Sequence, residues 1–207
     1  MLLSVMVKSP PRGRRWPSST TIRDQHRSGA TTLPRGRAEI VTHTGQDGHV
    51  KSHTYTLDLQ WTGDLGTGTS SSQAYSRDHS VSAAGKPELL GSSDPAFRGD
   101  PERWNPEELL VASLAQCHML WYLGLAAAAG VVVLDYTDQP VGTMIEEADG
   151  DGQFIEVTLH PTVLVSDASM VDKAEALHGP AHAKCFIARS VNFPVLNAPT
   201  TVAATDE

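Results

Sequence analysis

The stretch NPEELLVASLAQCHMLWYLGLAAAAG, residues 105–130, decides how the chain is read. Asn105 is a good N-cap, and Pro106 suits the first helical position, where its missing N–H would be unpaired anyway. Glu107 and Glu108 favour the positive end of a helix dipole, and Glu108 stands three residues after Asn105, where it completes a capping box. Gly130 supplies the stop. These signals predict one helix from about 105 to 129, roughly 36 Å long at ~1.5 Å per residue. Apolar residues cover it on every side, so it has to be surrounded by protein. One small domain wraps such a rod poorly; an obligate dimer would cover it. The run 109–129 is also long and apolar enough to cross a bilayer. Ser113, Gln116, Cys117 and His118 at its centre, acids before it and no basic flank make it instead a buried helix of a soluble protein.

Working outward, residues 53–61 alternate, with Tyr55, Leu57, Leu59 and Trp61 on one face of a half-buried strand. A turn at 63–68 leads into a more polar strand at 70–81, so the two make a hairpin, and 82–104 reads as loop. Beyond the helix come strands at 131–136 and 140–146, a tight turn at 149–152, and a long strand at 154–165 interrupted near Pro161. Ser166 or Asp167 caps a helix over 168–177, which Gly179 and Pro180 end. A second helical start at Pro180 runs through Cys185 and on towards 191. Residues 200–204 add a short edge strand. Strands, long helix, strands, helix is the order of an α+β domain, here 53–207, and not of a βαβ alternation.

The composition, 40% hydrophobic and 19% charged over 207 residues, is that of a soluble globular protein. The net charge of −8 argues against nucleic acid as a partner, since phosphate binding needs a concentrated basic face. That charge is uneven. Residues 1–52 hold nine Lys/Arg and three Asp/Glu, whereas 53–207 hold seven and twenty-one. The basic segment, rich in Pro, Gly, Ser and Thr and without apolar period, is read as a disordered extension. Its composition also fits an organelle transit peptide or a start placed too early. Only two cysteines are present, Cys117 and Cys185. In a domain of this size such a pair suits a reducing compartment, the cytoplasm, and is more often catalytic or metal-binding than a structural staple.

Cys117 lies in mid-helix among small or polar neighbours (Ala112, Ser113, Ala115, Gln116) that leave room for a cavity beside the sulfur. A packed, inert thiol is the bland alternative. Cys185 follows a Gly-Pro break near a short helix start and adjoins Lys184, both of which favour a thiolate. Three shared sites are possible. A redox pair needs only two sulfurs able to approach. Zinc would recruit His118, His178 and His182, but there is no Cys-x-x-Cys, and Pro180 takes His178 and His182 off a single helix face. A Cys–His hydrolase would use one of the same histidines as base, yet nothing identifies an orienting third residue.

Residues 105–117, Asn-Pro-Glu-Glu-Leu through Ala-Gln-Cys, resemble the signature of the OsmC/Ohr family, the osmotically inducible and organic hydroperoxide resistance proteins. Residues 181–190, AHAKCFIARS, resemble its second motif, although Phe186 stands where the family usually has proline. The likeness spans about 53–204. It implies an OsmC-like α+β fold, with the long helix packed between antiparallel sheets in an intertwined homodimer. It also implies a thiol-dependent peroxidase that reduces organic hydroperoxides without a cofactor or metal. Cys117 would be the attacking thiolate and Cys185 the resolving thiol. Glu107 would be the catalytic glutamate, and Arg98 or alternatively Arg77 the cation that steadies the thiolate. A dithiol reductant, such as a lipoylated protein, would close the cycle; no nucleic acid or membrane enters it. Leu114, Trp121 and Phe186 would wall an apolar pocket. The same fold could also serve a non-enzymatic, dimeric small-molecule binder or stress protein with inert thiols. Glu107 and Cys117 stand ten residues apart, ~15 Å along one helix. The glutamate near Cys117 should therefore come from a partner subunit, unless a kink shortens the gap.

Overall fold

The computed structural model describes residues 51–205. The reading of 1–52 as a basic extension lies, but for its last two residues, outside the described residues.

The long helix α1, Pro106–Ala129, forms as its end signals require. Asn105 Oδ1 accepts the Glu108 N–H at 2.7 Å, and the Glu108 carboxylate accepts the Asn105 N–H at 3.2 Å. Gly130 closes the helix at φ 71°, in the left-handed region that glycine enters without penalty. Three strands precede it: β1 (Asp58–Trp61), β2 (His79–Ser82) and β3 (Leu89–Gly91), an antiparallel sheet in that order. Four follow: β4 (Val133–Asp138), β5 (Val141–Glu146), β6 (Gly152–Leu159) and β7 (Pro161–Val165). Helices α2 (Val171–Ala176) and α3 (His178–Lys184) come next, then β8 (Val195–Asn197) and β9 (Thr200–Ala203).

These later strands build two mixed sheets, β4-β7-β9 and β5-β6-β8. Each has one antiparallel pair and one parallel edge, because β8 and β9 return only after the helical segment has crossed over. The chain leaves one sheet for the other at His160-Pro161. Proline has no N–H to give a ladder and so suits a strand's first position, while the His160 N–H goes to Asp138 Oδ1 at 2.8 Å.

Along α1 the buried residues are Leu114, His118, Tyr122 and Ala126, one per turn on a single stripe. The first half of the stripe packs on one sheet, where Leu114 meets Val157, Leu159 and Val195. The second half packs on the other: Tyr122 and Ala126 join Val131, Val163 and Val165 with Ala174 of α2 and Ala181 of α3. The rest of the helix is not enclosed, and Leu120 is 65% exposed. It is the one helix among the described residues long and apolar enough to span a membrane.

Several expectations change. The strand expected half-buried at 53–61 is ordered as β only over Asp58–Trp61, and Leu57 and Leu59 are 63% and 71% exposed, since nothing among the described residues covers that face. The second strand shrinks from 70–81 to β2. The Asp64 carboxylate accepts the N–H groups of Gly66 and Gly68, which holds the connection in a turn. A short strand, β3, lies inside the expected loop 82–104, and β8 is a further unanticipated strand. Gly179 and Pro180 do not end a helix. They sit in the first turn of α3, where proline's missing N–H costs nothing, and Cys185 consequently caps the end of α3 instead of following its start.

Asn105→Ala should remove the bond that the Asn105 side chain accepts from the Glu108 N–H and lower stability by about 1 kcal/mol. Urea unfolding should show a lower midpoint with an unchanged slope.

Candidate active site

Sixty-eight positions of chain separate Cys117 from Cys185, yet the fold brings the two side chains near each other. Both are free thiols; Cys117 is half-buried and Cys185 buried. Cys185 leaves α3 in extended conformation, its N–H donates to the His182 carbonyl at 3.1 Å, and its Sγ accepts the Ala188 N–H at 3.4 Å. Burial first, and the neighbouring Cys117 thiol second, push the Cys185 thiol well above its ordinary value. This is opposite to the sequence expectation. Cys185 stands at the C-terminal end of its helix, away from the positive pole. Lys184 is exposed, with Nζ 5.4 Å over the Trp121 ring, and desolvation decides the shift.

Glu107, in the first turn of α1, is half-buried, and its Oε2 is enclosed without a hydrogen-bond partner. It opens on a cleft of ~450 Å³ that Trp104, Val111, Met144 and Phe154 also line. Neither expected arginine pairs with it in this chain. Arg77 donates to the carbonyls of Ser72 and Tyr75 at 2.8 and 2.9 Å and lies 4.4 Å over the Tyr75 ring. Arg98, exposed, with the left-handed φ of 67°, reaches Ser72 Oγ at 3.4 Å. The ion pairs of the described residues belong to Arg103, with Asp100 and Asp78.

The apolar wall divides. Leu114 is core, packed away under β6 and β8. Trp121 and Phe186 do meet, edge to face at 5.6 Å, beside a cleft of ~560 Å³ shared with Pro180, Ala183, Lys184 and Arg189.

A third group is deeper still. His118 and His178 are 1% and 3% exposed, and Nε2 of the first lies 3.0 Å from Nδ1 of the second. Tyr122 stacks on His178 at 4.3 Å. The outer nitrogens, His118 Nδ1 and His178 Nε2, have no partner, nor does Nδ1 of His182. Burial, then the neighbours His178 and His182, hold the His118 imidazole down at about 4. Burial also lowers His178, against the pull of Glu175. Pro180 does not separate His178 from His182, which share α3 one turn apart. Even so, no set of three His, Cys, Asp or Glu is arranged to hold a metal among the described residues. The signal for this pair was the i, i+4 stripe that carries His118 together with the i, i+4 spacing of His178 and His182.

A family model described as OsmC-like protein matches residues 99–196. An OsmC-like protein of unknown function from Vibrio cholerae is 31% identical, with a TM-score of 0.64 over 72% of this chain and 99% of that one. An organic hydroperoxide resistance protein from Elizabethkingia anophelis is 18% identical, with a TM-score of 0.53 over 74% of this chain and 100% of its own. For an organic hydroperoxide resistance protein from Legionella pneumophila the figures are 18%, 0.52, 72% and 98%. The last two likenesses establish a common fold. No curated protein matches by sequence.

The depressed His118 sets a sign for stability. Between about 6.5 and about 4 the unfolded chain takes up a proton at this position that the folded chain refuses. Stability should therefore fall as pH drops through that window, with no contribution above it. His178 acts in the same direction. Urea midpoints measured from pH 7 to pH 4.5 should decline less steeply in His118→Gln than in wild type.

Proposed function

As the chain belongs to the OsmC-like family, we propose that it is a cytoplasmic hydroperoxide reductase in which Cys117 attacks organic hydroperoxides and Cys185 resolves the product. The observation that carries this reading is the nearness of two free thiols so distant in sequence. The Cys117 thiolate attacks the O–O bond; an S–O bond forms, and the alkoxide takes up a proton and leaves as the alcohol. The peroxide is reduced and the sulfur becomes a sulfenic acid. Cys185 then attacks that sulfur: the S–S bond forms, and the hydroxyl departs as water with the thiol proton. A dithiol such as a lipoylated protein returns both thiols. Because its own burial keeps Cys185 protonated, it does not compete for peroxide. Its nearness to Cys117 makes resolution an intramolecular step.

The working unit we propose is a homodimer. The exposed apolar residues of β1 and the uncovered flank of α1 are surface that a second copy would bury. Glu107, ~15 Å along the helix from its own sulfur, would serve the partner's sulfur, together with Arg98 or Arg77 from the same N-terminal part of the chain.

Thiol titration after one equivalent of cumene hydroperoxide should show rapid loss of two thiols per chain. No loss would favour the rival reading of a non-enzymatic binder with inert thiols. Cys117→Ser should reduce turnover to background. Cys185→Ser should give one sulfenate per chain and no multiple turnover with a dithiol; unchanged turnover would remove its resolving role. Sedimentation should give a dimer. Neither Cys117→Ser nor Glu107→Gln chains should be active alone. Mixing them should restore about a quarter of the wild-type rate, since half of randomly formed dimers are mixed and each holds one complete site. No recovery would place Glu107 in the same subunit as its sulfur.

A further inference from the structure

The cycle proposed above uses neither of the two most deeply buried imidazoles, although they bracket its sulfurs. His118 follows Cys117 on α1, and His178 opens α3, whose far end is capped by Cys185. Their 3.0 Å bond is the one side-chain hydrogen bond between α1 and α3 among the described residues. Around it the packing is apolar, with Tyr122 and Ala181 in the same core and Leu177 against it. Apolar contacts are non-directional and tolerate small slides or rotations of one helix on another. A buried polar pair does not. Pulled apart, each ring would present an inner nitrogen without a partner, in addition to the outer nitrogens already unpartnered. The penalty is confined to wrong placements of α3, so the bond selects one.

We propose that His118 and His178 form a positioning pair that fixes α3 against α1 and so sets the approach of Cys185 to Cys117. The pair takes no proton from substrate and touches no reacting atom. It acts through seven residues of α3, a rigid lever of about 10 Å, and through the N–H of Cys185, which donates to the carbonyl of His182 on that same helix. The inference rests on the two cysteines being a redox pair. The step it governs is closure: the Cys117–Cys185 S–S bond forms while the S–O bond of the sulfenic acid and the S–H bond of Cys185 break, and water leaves. Attack on the peroxide does not involve Cys185 and is not governed by it.

The test is the reduction potential of the Cys117–Cys185 couple in the full chain, equilibrated in glutathione buffers, for wild type and two pairs of variants. His178→Leu and His118→Leu keep bulk and remove the bond. His178→Asn and His118→Gln keep an amide near the lost ring nitrogen. A small misplacement lowers the effective concentration of one thiol at the other, and with it both the rate and the equilibrium of closure, on the order of 100-fold. The leucine variants should therefore raise the potential by about 59 mV, at ~30 mV per tenfold for a two-electron couple. The amide variants should stay within about threefold of wild type, as a retained contact would. An unchanged potential in the leucine variants overturns the proposal, and so do amide variants displaced as far as the leucines. If neither leucine variant folds, the amide variants decide, and a tenfold displacement in either overturns it. Rapid mixing with cumene hydroperoxide separates the steps: His178→Leu should form sulfenate at nearly the wild-type rate and close the disulfide about 100-fold more slowly. Equal slowing of both steps counts against positioning. A wild-type chain that forms no sulfenate refutes the peroxidase reading, and the potentials still decide this one.

Discussion

A single long helix, apolar on every side and only partly covered by the described residues, is the constraint on which the rest of the molecule depends. α1 offers every fourth residue to the interior, from Leu114 through His118 and Tyr122 to Ala126, and the two mixed sheets divide that stripe between them. The sheet β5-β6-β8 takes the first half, and β4-β7-β9 with α2 and α3 takes the second. The switch of the chain between sheets at Pro161 and the late return of β8 and β9 follow from having to build on both halves of one rod. So does the site. The helical segment packed on the second half lies against the turns of α1 that carry Cys117 and His118.

Two effects compete at Cys185, and their balance defines what it can do. A neighbouring lysine and a helix terminus would both bear on its charge, but Lys184 faces outward and the terminus is the negative one. Desolvation wins, and the thiol is held in its protonated form. Such a group is a poor free nucleophile and a good intramolecular one, because nearness to its partner substitutes for intrinsic reactivity. The neutral imidazoles beside it follow the same rule. Enclosed in apolar surroundings, His118 and His178 satisfy one another with a single N–H and remain uncharged, so they join α1 to α3 without the cost of a buried ion.

What the chain leaves uncovered is as informative as what it buries. Among the described residues, Leu57 and Leu59 on or beside β1 and Leu120 on α1 stay exposed, and a carboxylate oxygen of Glu107 is enclosed without a partner. Exposed apolar area and an unpaired buried acceptor both carry a free-energy cost, and the proposed homodimer would relieve both.

The sequence by itself determined the extent of α1, its capping box and its glycine stop, since these depend on interactions within a few residues. It also determined the α+β order of elements, and the family through the two cysteine motifs. It misplaced the limits of β1 and β2, missed β3 and β8, and misread Gly179-Pro180 as a break, because local propensity does not say which face a distant segment will cover. The tertiary structure alone decided that Cys117 and Cys185 lie near each other, that burial raises Cys185 despite Lys184, and that His118 finds His178 sixty residues away. Each of these is a matter of desolvation or long-range contact, and neither quantity exists until the helices are packed.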